Sequence, residues 1–271
     1  MSHHHLLICD YLDNVVHLVD DQQGKIRASV KVPGNPVSIC MLRSDRAAVS
    51  LGDFKAVQYL TLKYDNLTLG DRLRLNGCIR GISAFNDEQL AVSFLEPPAV
   101  KMISDHGKVI NKIDNTSAGT EIFILPTYLT VSPNRSFIFV SDRGTKQIIM
   151  LTSSLQLLMA FSDTKLLNIP YGITMWNEMV LVCGWESNNI VQLDPTNGHM
   201  SVVLEKKDGV YRPRALAFCP HTGTLYVSHW NMAFIQRYRL KWPHPIIRKW
   251  STATLDLNVS KLLCVVMVCY R

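Results

Sequence analysis

The chain has 271 residues, of which 47% are hydrophobic, so it is long enough to bury a sizeable core. Its formal charge is +6, from 28 basic and 22 acidic residues, and this modest excess does not by itself indicate nucleic-acid binding. The cysteines number 7, with no two at CxxC spacing, which argues against zinc modules and disulfide frameworks and favours a reducing, cytoplasmic compartment.

The two ends of the chain carry no membrane signal. The first residues, MSHHHLLICDYLD, lack the basic and apolar regions of a signal peptide. Near the other end, the apolar run LLCVVMVC is too short to cross a bilayer. We therefore expect a cytoplasmic protein with no membrane partner.

A short pattern recurs along the whole chain. An aliphatic residue, here called the anchor, is followed by Ser or Cys, then by a polar turn and a β-branched residue eight positions after the anchor. Successive anchors lie 41, 43, 48, 42 and 45 residues apart. A period in the forties with several strands per unit predicts the blades of a β-propeller. The six anchors are Ile8, Val49, Val92, Val140, Val182 and Val227. The small residues that follow them are Cys9, Ser50, Ser93, Ser141, Cys183 and Ser228.

Each unit contains four predicted strands. Before five of the anchors, a small residue precedes an aliphatic one, as expected of an innermost strand that is crowded near the propeller axis. These pairs are Ser38-Ile39, Gly81-Ile82, Thr130-Val131, Gly172-Ile173 and Ala215-Leu216. Outer strands are predicted at 26–30, 72–75, 108–113, 157–161, 200–204 and 246–250. The sequence therefore predicts an all-β fold, a six-bladed β-propeller of four-stranded antiparallel blades.

The first unit begins almost at its anchor, so its inner strand must come from the end of the chain. Counting from the last anchor places this closing strand at 255–260, where it would complete the first blade and remove the open sheet edges. This predicts one domain at 6–260, with 1–5 and 261–271 as tails, and a propeller that is monomeric in isolation. Cys9 and Cys183 occupy the small-residue position that Ser fills in the other units, which predicts that they are buried thiols.

Two units, YLTVSPNRSFIFVSDRGTKQIIML and YGITMWNEMVLVCGWESNNIVQLDPTNGHM, resemble NHL repeats. Over about residues 6–260 the chain is similar to the C-terminal propeller of tripartite-motif (TRIM-NHL) proteins, and above all to the divergent invertebrate type. The resemblance implies a substrate- or partner-recognition module in a ubiquitin-ligase system. Ligase activity itself would need a RING domain, whose eight zinc ligands this sequence does not supply.

The predicted connections that enter the inner strands and leave the anchor strands carry Arg and aromatic residues at one end of the propeller. Such side chains suit a peptide partner through binding hot spots, or single-stranded RNA through base stacking. Packing of Trp185 and Trp230 between blades is an alternative role. We name this set the rim face; its predicted binding residues are Arg80, Tyr128, Arg143, Tyr171, Trp185, Arg212, Arg214 and Trp230.

A second basic group lies between Asp208 and Asp256, a stretch without any acid. It could follow a phosphate backbone, although a charged outer edge that discourages edge-to-edge pairing is the favoured interpretation. The residues of this possible basic patch are Arg237, Arg239, Lys241, Arg248 and Lys249.

Catalysis is the least favoured reading. Six-bladed propellers include lactonase-like hydrolases with a metal in the central channel, which requires carboxylate or amide oxygen ligands. The inner-strand starts offer Arg80, Tyr171 and Arg214 instead, and positive charge repels a divalent cation. We expect no cofactor, no metal and no catalytic residue, and a protein or peptide as the partner, with single-stranded RNA as the alternative.

Overall fold

The computed structural model describes residues 4–116, 119–240, 255–256 and 262–269. Its strands form six separate four-stranded sheets, and all strand pairs within them are antiparallel. The inner strands of neighbouring sheets contact one another around a closed ring. The predicted six-bladed propeller is confirmed. No helix in the part of the chain that the structure describes has the length and apolar character that a membrane crossing requires.

The blades follow the chain order. In blades two to six the strands run in sequence from the innermost to the outermost, whereas in blade one the innermost strand, β24, comes from the end of the chain. Blade one contains β1 (His4–Asp10), β2 (Val15–Asp20), β3 (Lys25–Lys31) and β24 (Leu262–Cys269). Blade two contains β4 (Pro36–Arg43), β5 (Arg46–Leu51), β6 (Ala56–Lys63) and β7 (Asn66–Arg74). Blade three contains β8 (Cys78–Asn86), β9 (Gln89–Glu96), β10 (Pro98–Ser104) and β11 (Val109–Ile113). Blade four contains β12 (Pro126–Val131), β13 (Phe137–Asp142), β14 (Gln147–Thr152) and β15 (Leu157–Phe161). Blade five contains β16 (Pro170–Trp176), β17 (Met179–Gly184), β18 (Asn189–Leu193) and β19 (Met200–Leu204). Blade six contains β20 (Pro213–Cys219), β21 (Thr224–His229), β22 (Phe234–Arg239) and β23 (Leu255–Asp256).

The recurring pattern places its residues at equivalent points of every blade. All six anchors lie on the second strand and are fully buried. The small residue after the anchor pairs directly with the β-branched residue of the third strand, as in Ser50 with Val57 and Ser141 with Ile148. Cross-strand pairs of this kind stabilise a sheet and fix its register.

The serines after the anchors connect neighbouring blades. The Ser141 hydroxyl accepts the N–H of Tyr128 in its own blade at 3.2 Å and donates to the carbonyl of Tyr171 in the next blade at 2.5 Å. Ser93 and Ser50 make the same bridge one and two blades earlier, respectively. Each hydroxyl thus satisfies backbone groups at a bulge where the inner strand departs from regular pairing.

The two cysteines in this position are also accounted for. Cys9 and Cys183 are fully buried, as predicted. Burial raises the pKa of Cys183 well above its usual value, because a thiolate would lose its hydration there. Because the Cys183 thiol stays protonated, it is a weak nucleophile.

The strand that closes the ring differs from the predicted one. β24 pairs with β1 along its whole length as the inner strand of blade one, whereas Leu255–Asp256 pairs with β22 as the outer strand of blade six. The prediction that 255–260 closes the ring is therefore wrong, and the propeller includes residues 262–269, which had been placed in a tail. The outer strand predicted at 246–250 lies outside the described residues, and its place beside β22 is taken by 255–256.

Blade four also differs from the predicted register. Thr130 was expected to be the small residue of its inner strand, but Thr130 pairs with Phe139, and the residue opposite Ser141 is Tyr128. A bulge between Pro126 and Tyr128 shifts the strand. A large aromatic side chain thus occupies the position that Ser38, Gly81, Gly172 and Ala215 fill in blades two, three, five and six.

Candidate functional site

The candidate site is a cavity at the end of the propeller where the inner strands begin. One group of its residues lies immediately before the small position of the inner strands, and a second group lies three residues after the anchors. The cavity has a volume of about 150 Å³, and we call it the mouth cavity. It is lined by Val37, Arg80, Leu95, Thr127, Tyr128, Arg143, Tyr171, Arg214 and Trp230.

The loops of blades four, five and six are held by the same backbone hydrogen bond. In each, the third residue after the anchor donates its N–H to the carbonyl of the residue before the inner-strand proline. The bonds are Arg143 to Leu125, Trp185 to Ile169 and Trp230 to Arg212, at 3.2, 3.1 and 3.0 Å. Because the backbone is fixed in this way, three successive blades present a large side chain at the same point of the rim.

Asp142 fixes the loops around Arg143 further. Its carboxylate is fully buried and accepts backbone N–H groups from both the entering and the leaving connection of blade four, at 2.8 to 3.0 Å. The donors are Ile124, Leu125, Gly144 and Thr145. The acid after the serine is therefore structural, and it holds the adjacent arginine in place.

Four aromatic rings form a continuous line along the rim. The centroid distances are 6.3 Å for Tyr128 to Tyr171, 6.2 Å for Tyr171 to Trp185, and 6.4 Å for Trp185 to Trp230. Only Trp230 is exposed, with 36% of its surface accessible, while Tyr128 and Tyr171 are 5% and 8% exposed. The tilted and edge-on geometries are those that aromatic pairs prefer. Packing between blades thus accounts for most of this aromatic surface.

The arginines lie over these rings. The guanidinium of Arg214 is 5.4 Å from the centroid of Tyr171 and 4.3 Å from that of Trp230. Arg143 is 5.8 Å from the Tyr171 ring and donates from Nη1 to the Tyr171 hydroxyl at 2.7 Å. Arg212 is exposed and lies 5.1 Å from the Trp185 ring. Stacking of this kind holds the planar guanidinium groups in fixed positions.

These arginines have no acidic partner within the described residues. Every ion pair of that part of the chain involves other groups, so Arg80, Arg143, Arg212 and Arg214 keep their charge uncompensated. The Nε of Arg214 and the Nε1 of Trp185 are buried without a hydrogen-bond partner in the same part of the structure. Unpaired buried polar groups are costly and call for an explanation.

Tyr128 forms the floor of the mouth cavity. Its hydroxyl donates to the carbonyl of Val37 on blade two in a long hydrogen bond of 3.5 Å. A second cavity, of about 260 Å³, runs along the inner strands and also has Tyr128 in its lining. Tyr128 therefore borders both the mouth cavity and the cavity along the inner strands.

The structure brings six of the eight predicted rim residues together in one cavity lining. Trp185 and Arg212 are not part of this lining. Trp185 packs against Tyr171, and the guanidinium of Arg212 lies over the Trp185 ring. Sequence reasoning missed three lining residues, Val37, Leu95 and Thr127. Their signal was positional, since they occupy the same points of their blades as Arg214 and Arg143.

The possible basic patch is only partly within the described residues. Arg237 is half-buried and donates from Nη1 to the carbonyl and carboxylate oxygens of Asp21 at 2.9 and 3.2 Å, which connects blade six to blade one. The Tyr226 hydroxyl donates to the same carboxylate at 2.7 Å. Arg239 is exposed, and Lys241, Arg248 and Lys249 lie outside the described residues. Arg237 is thus engaged in closing the ring.

The described part of the chain bears on the metal-dependent and thiol-based alternatives. It contains no group of three or more His, Cys, Asp and Glu side chains that could hold a metal ion. Cys78 is the half-buried cysteine closest in sequence to Arg80, and burial raises the pKa of its thiol. A protonated thiol is a weak nucleophile.

Comparison with known proteins supports the architecture. No protein-family model matches the chain, and no curated protein matches it. Among solved structures, the chain is similar to a chain of the nidogen/laminin complex, with a TM-score of 0.74 at 12% identity over 98% of both chains. It is also similar to virginiamycin B lyase from Staphylococcus aureus, with a TM-score of 0.67 at 16% identity over 91% of this chain and 80% of that one. A third similar structure is a candidate 6-phosphogluconolactonase from Bacteroides uniformis, with a TM-score of 0.65 at 14% identity over 99% of this chain and 100% of that one. At such identities the likeness defines a six-bladed propeller and no particular activity.

Proposed function

We propose that this propeller is a non-catalytic recognition module that binds a partner protein or peptide on the rim face. The observation that carries the proposal is the group of arginines that lie against aromatic rings without acidic partners in the described residues. Arg, Trp and Tyr are the residues that most often dominate binding energy at protein interfaces. Held by stacking and by fixed loops, they need little further ordering when a partner binds.

The same geometry favours a peptide over single-stranded RNA. Sequence-independent RNA binding depends on exposed aromatic faces on which successive bases stack. Here Tyr128 and Tyr171 are almost fully buried, and Arg212 and Arg214 lie over the two tryptophans. RNA binding is therefore the competing hypothesis for the test below.

The resemblance to TRIM-NHL propellers extends the proposal. The partner would be a substrate or adaptor presented to a ubiquitin ligase, and the RING activity would come from a zinc-binding domain. This step rests on the sequence resemblance alone, and its test is co-purification of the tagged chain with a RING protein from its own cells. A monomeric, cytoplasmic module fits the same proposal, because Cys78 and Cys183 form no disulfide within the described residues.

The test begins with selection of a random displayed peptide library on the purified propeller. Affinities of the enriched peptides are then measured for the wild type, for the double variant Arg80→Glu/Arg214→Glu, and for Arg74→Glu. Arg74 is an exposed arginine of β7 and serves as the control for a change of charge alone. Loss of a charged partner at an interface costs about 2–5 kcal/mol, so we expect the rim variant to lose at least about 30-fold and Arg74→Glu to lose almost nothing.

Three outcomes would contradict the proposal. One is peptide affinity that is equal in the wild type and the rim double variant. Another is preferential binding of random single-stranded RNA with an affinity that falls steeply between about 50 and 200 mM salt, the behaviour of phosphate-backbone contacts. Turnover of lactone substrates that is lost with Arg80→Glu/Arg214→Glu would replace it with an enzymatic function.

A further inference from the structure

The mouth cavity brings positive charge from three different blades to one small space. Arg80 comes from β8 of blade three, Arg143 follows β13 of blade four, and Arg214 lies on β20 of blade six. All three are half-buried. Like charges this close repel one another, and burial weakens the screening by water that would relieve the repulsion. Such an arrangement is stable mainly when an anion is bound or stacking compensates for it.

The hydrogen-bonding capacity of these groups is almost unused. A guanidinium has about five N–H donors. Within the described residues, the side chains of the three arginines make a single hydrogen bond, from Arg143 to the Tyr171 hydroxyl. Since that hydroxyl accepts from Arg143, its own proton is available for another acceptor. The Nε of Arg214 is buried without any acceptor. The cavity is thus rich in donors and poor in acceptors.

We propose that the mouth cavity binds the phosphomonoester group of a phosphorylated peptide; this refinement rests on the recognition function proposed above. A phosphomonoester carries a charge of about −1.5 to −2 near neutral pH and offers three strong acceptor oxygens, which matches three guanidinium groups better than a single carboxylate does. The volume of about 150 Å³ equals roughly five water molecules at about 30 Å³ each, enough for one tetrahedral anion and its linking atoms.

Tyr128 makes the site specific for a terminal group. Tyr128 lines both the mouth cavity and the cavity along the inner strands, and its hydroxyl reaches across to Val37 of blade two, so we expect its ring to stop an entering anion beside the arginines. A phosphodiester within a nucleic-acid strand continues on both sides and carries only one charge, so it fits this short pocket poorly. The exposed Trp230 and Arg212 at its edge are positioned to contact the peptide that carries the phosphate.

The test compares three degenerate peptide pools that are identical except for a central phosphoserine, glutamate or serine. Fluorescence anisotropy measures their affinity for the wild type and for Arg143→Gln, Arg214→Gln and the control Arg74→Gln. We expect the phosphoserine pool to bind at least 10-fold more tightly than the other two. Each rim substitution should lower that affinity at least 10-fold, and Arg74→Gln should not. Arg143→Lys should give an intermediate loss, because it keeps the charge without the bidentate fork. Unfolding midpoints of all variants verify that they are folded.

The outcomes separate the two proposals. If all three pools bind equally and Arg80→Glu/Arg214→Glu abolishes that binding, the phosphate inference is overturned and peptide recognition stands. If the phosphoserine preference survives Arg143→Gln and Arg214→Gln, the phosphate lies elsewhere and the inference fails. If no pool binds while random single-stranded RNA does, both proposals fail.

Discussion

Lowering the pH should weaken this propeller through one buried histidine. His229 ends the anchor strand β21 of blade six and is 1% exposed. Neither of its ring nitrogens has a hydrogen-bond partner in the described part of the chain. The same position holds Leu51 in blade two and Phe94 in blade three, both buried. A polar ring without hydrogen bonds in the described residues thus occupies a place that blades two and three fill with apolar side chains.

Burial lowers the pKa of His229 from 6.5 to about 4, because the imidazolium would lose its hydration. Above about pH 6.5 the ring is neutral in both states and the pH has no effect. As the pH falls below 6.5, His229 becomes protonated in the unfolded chain but stays neutral in the folded chain. The free energy of unfolding therefore decreases until His229 is also protonated in the folded state, near pH 4. A difference of about 2.5 pKa units corresponds to about 3 kcal/mol, most of it lost by pH 4.5.

The substitution His229→Leu, which copies blade two, should remove this dependence. We expect the free energy of unfolding of the variant, relative to the wild type, to rise by about 2–3 kcal/mol between pH 7.5 and 4.5. Urea unfolding followed by tryptophan fluorescence at several pH values measures the difference. Because the remaining titratable groups are common to both chains, their contributions cancel. His229→Gln is the matched control, since it cannot ionise yet keeps a polar side chain, and it should show the same change with pH despite a different packing cost. If the difference in free energy of unfolding between His229→Leu and the wild type stays constant from pH 7.5 to 4.5, the reasoning is refuted.

Two further substitutions test the contacts between blades, both by urea unfolding at neutral pH. Ser141→Ala removes the hydroxyl that links the Tyr128 N–H to the Tyr171 carbonyl, so it should cost about 1–3 kcal/mol, and a loss below about 0.3 kcal/mol would mean that the bridge contributes nothing. Gly172→Ala places a Cβ 2.6 Å from the Cα of Ala215 on the next inner strand, so it should cost about 1–3 kcal/mol through overpacking, and unchanged stability would show that the inner strands are not in close contact.

The repeating core was predictable because its determinants are local. Short connections keep the second and third strands of a blade adjacent, so the small residue after an anchor and the β-branched residue seven positions later meet as a direct pair. The same local pattern repeats in six sequences that share little else. The alternation of apolar and polar residues, together with the turn residues, therefore predicted the strands, and the length of the repeat predicted the architecture.

Ring closure was harder to predict because no repeat marks the sequence that precedes the closing strand. Between Arg239, which ends β22, and Leu262, which begins β24, no periodic pattern fixes the spacing. Counting an average distance placed the closing strand at 255–260. The run LLCVVMVC is too short for a membrane segment, and a short continuous apolar run is also typical of a strand inside a closed sheet structure.

The rim residues were found from the sequence, but the cavity was not. Arg80, Arg143 and Arg214 were recognisable as rim residues because they flank predicted strands. Their convergence depends on the closed ring, which turns equivalent positions of distant repeats into neighbours. The shifted register of blade four was not predictable either, because the repeat pattern has a small residue at the position that Tyr128 occupies.

These exceptions to the repeat coincide in space. Blade four breaks the small-residue rule with Tyr128, and blades three, four and six place arginines beside it without acidic partners in the described residues. Each exception alone costs stability, since overpacking near the axis, buried unpaired donors and like charges are all unfavourable. Natural sequences tend to break their own folding rules where function requires it. A bound anion in the mouth cavity would accept hydrogen bonds from the unpaired donors and offset the like charges. Binding of a phosphate there should therefore raise the free energy of unfolding of the propeller.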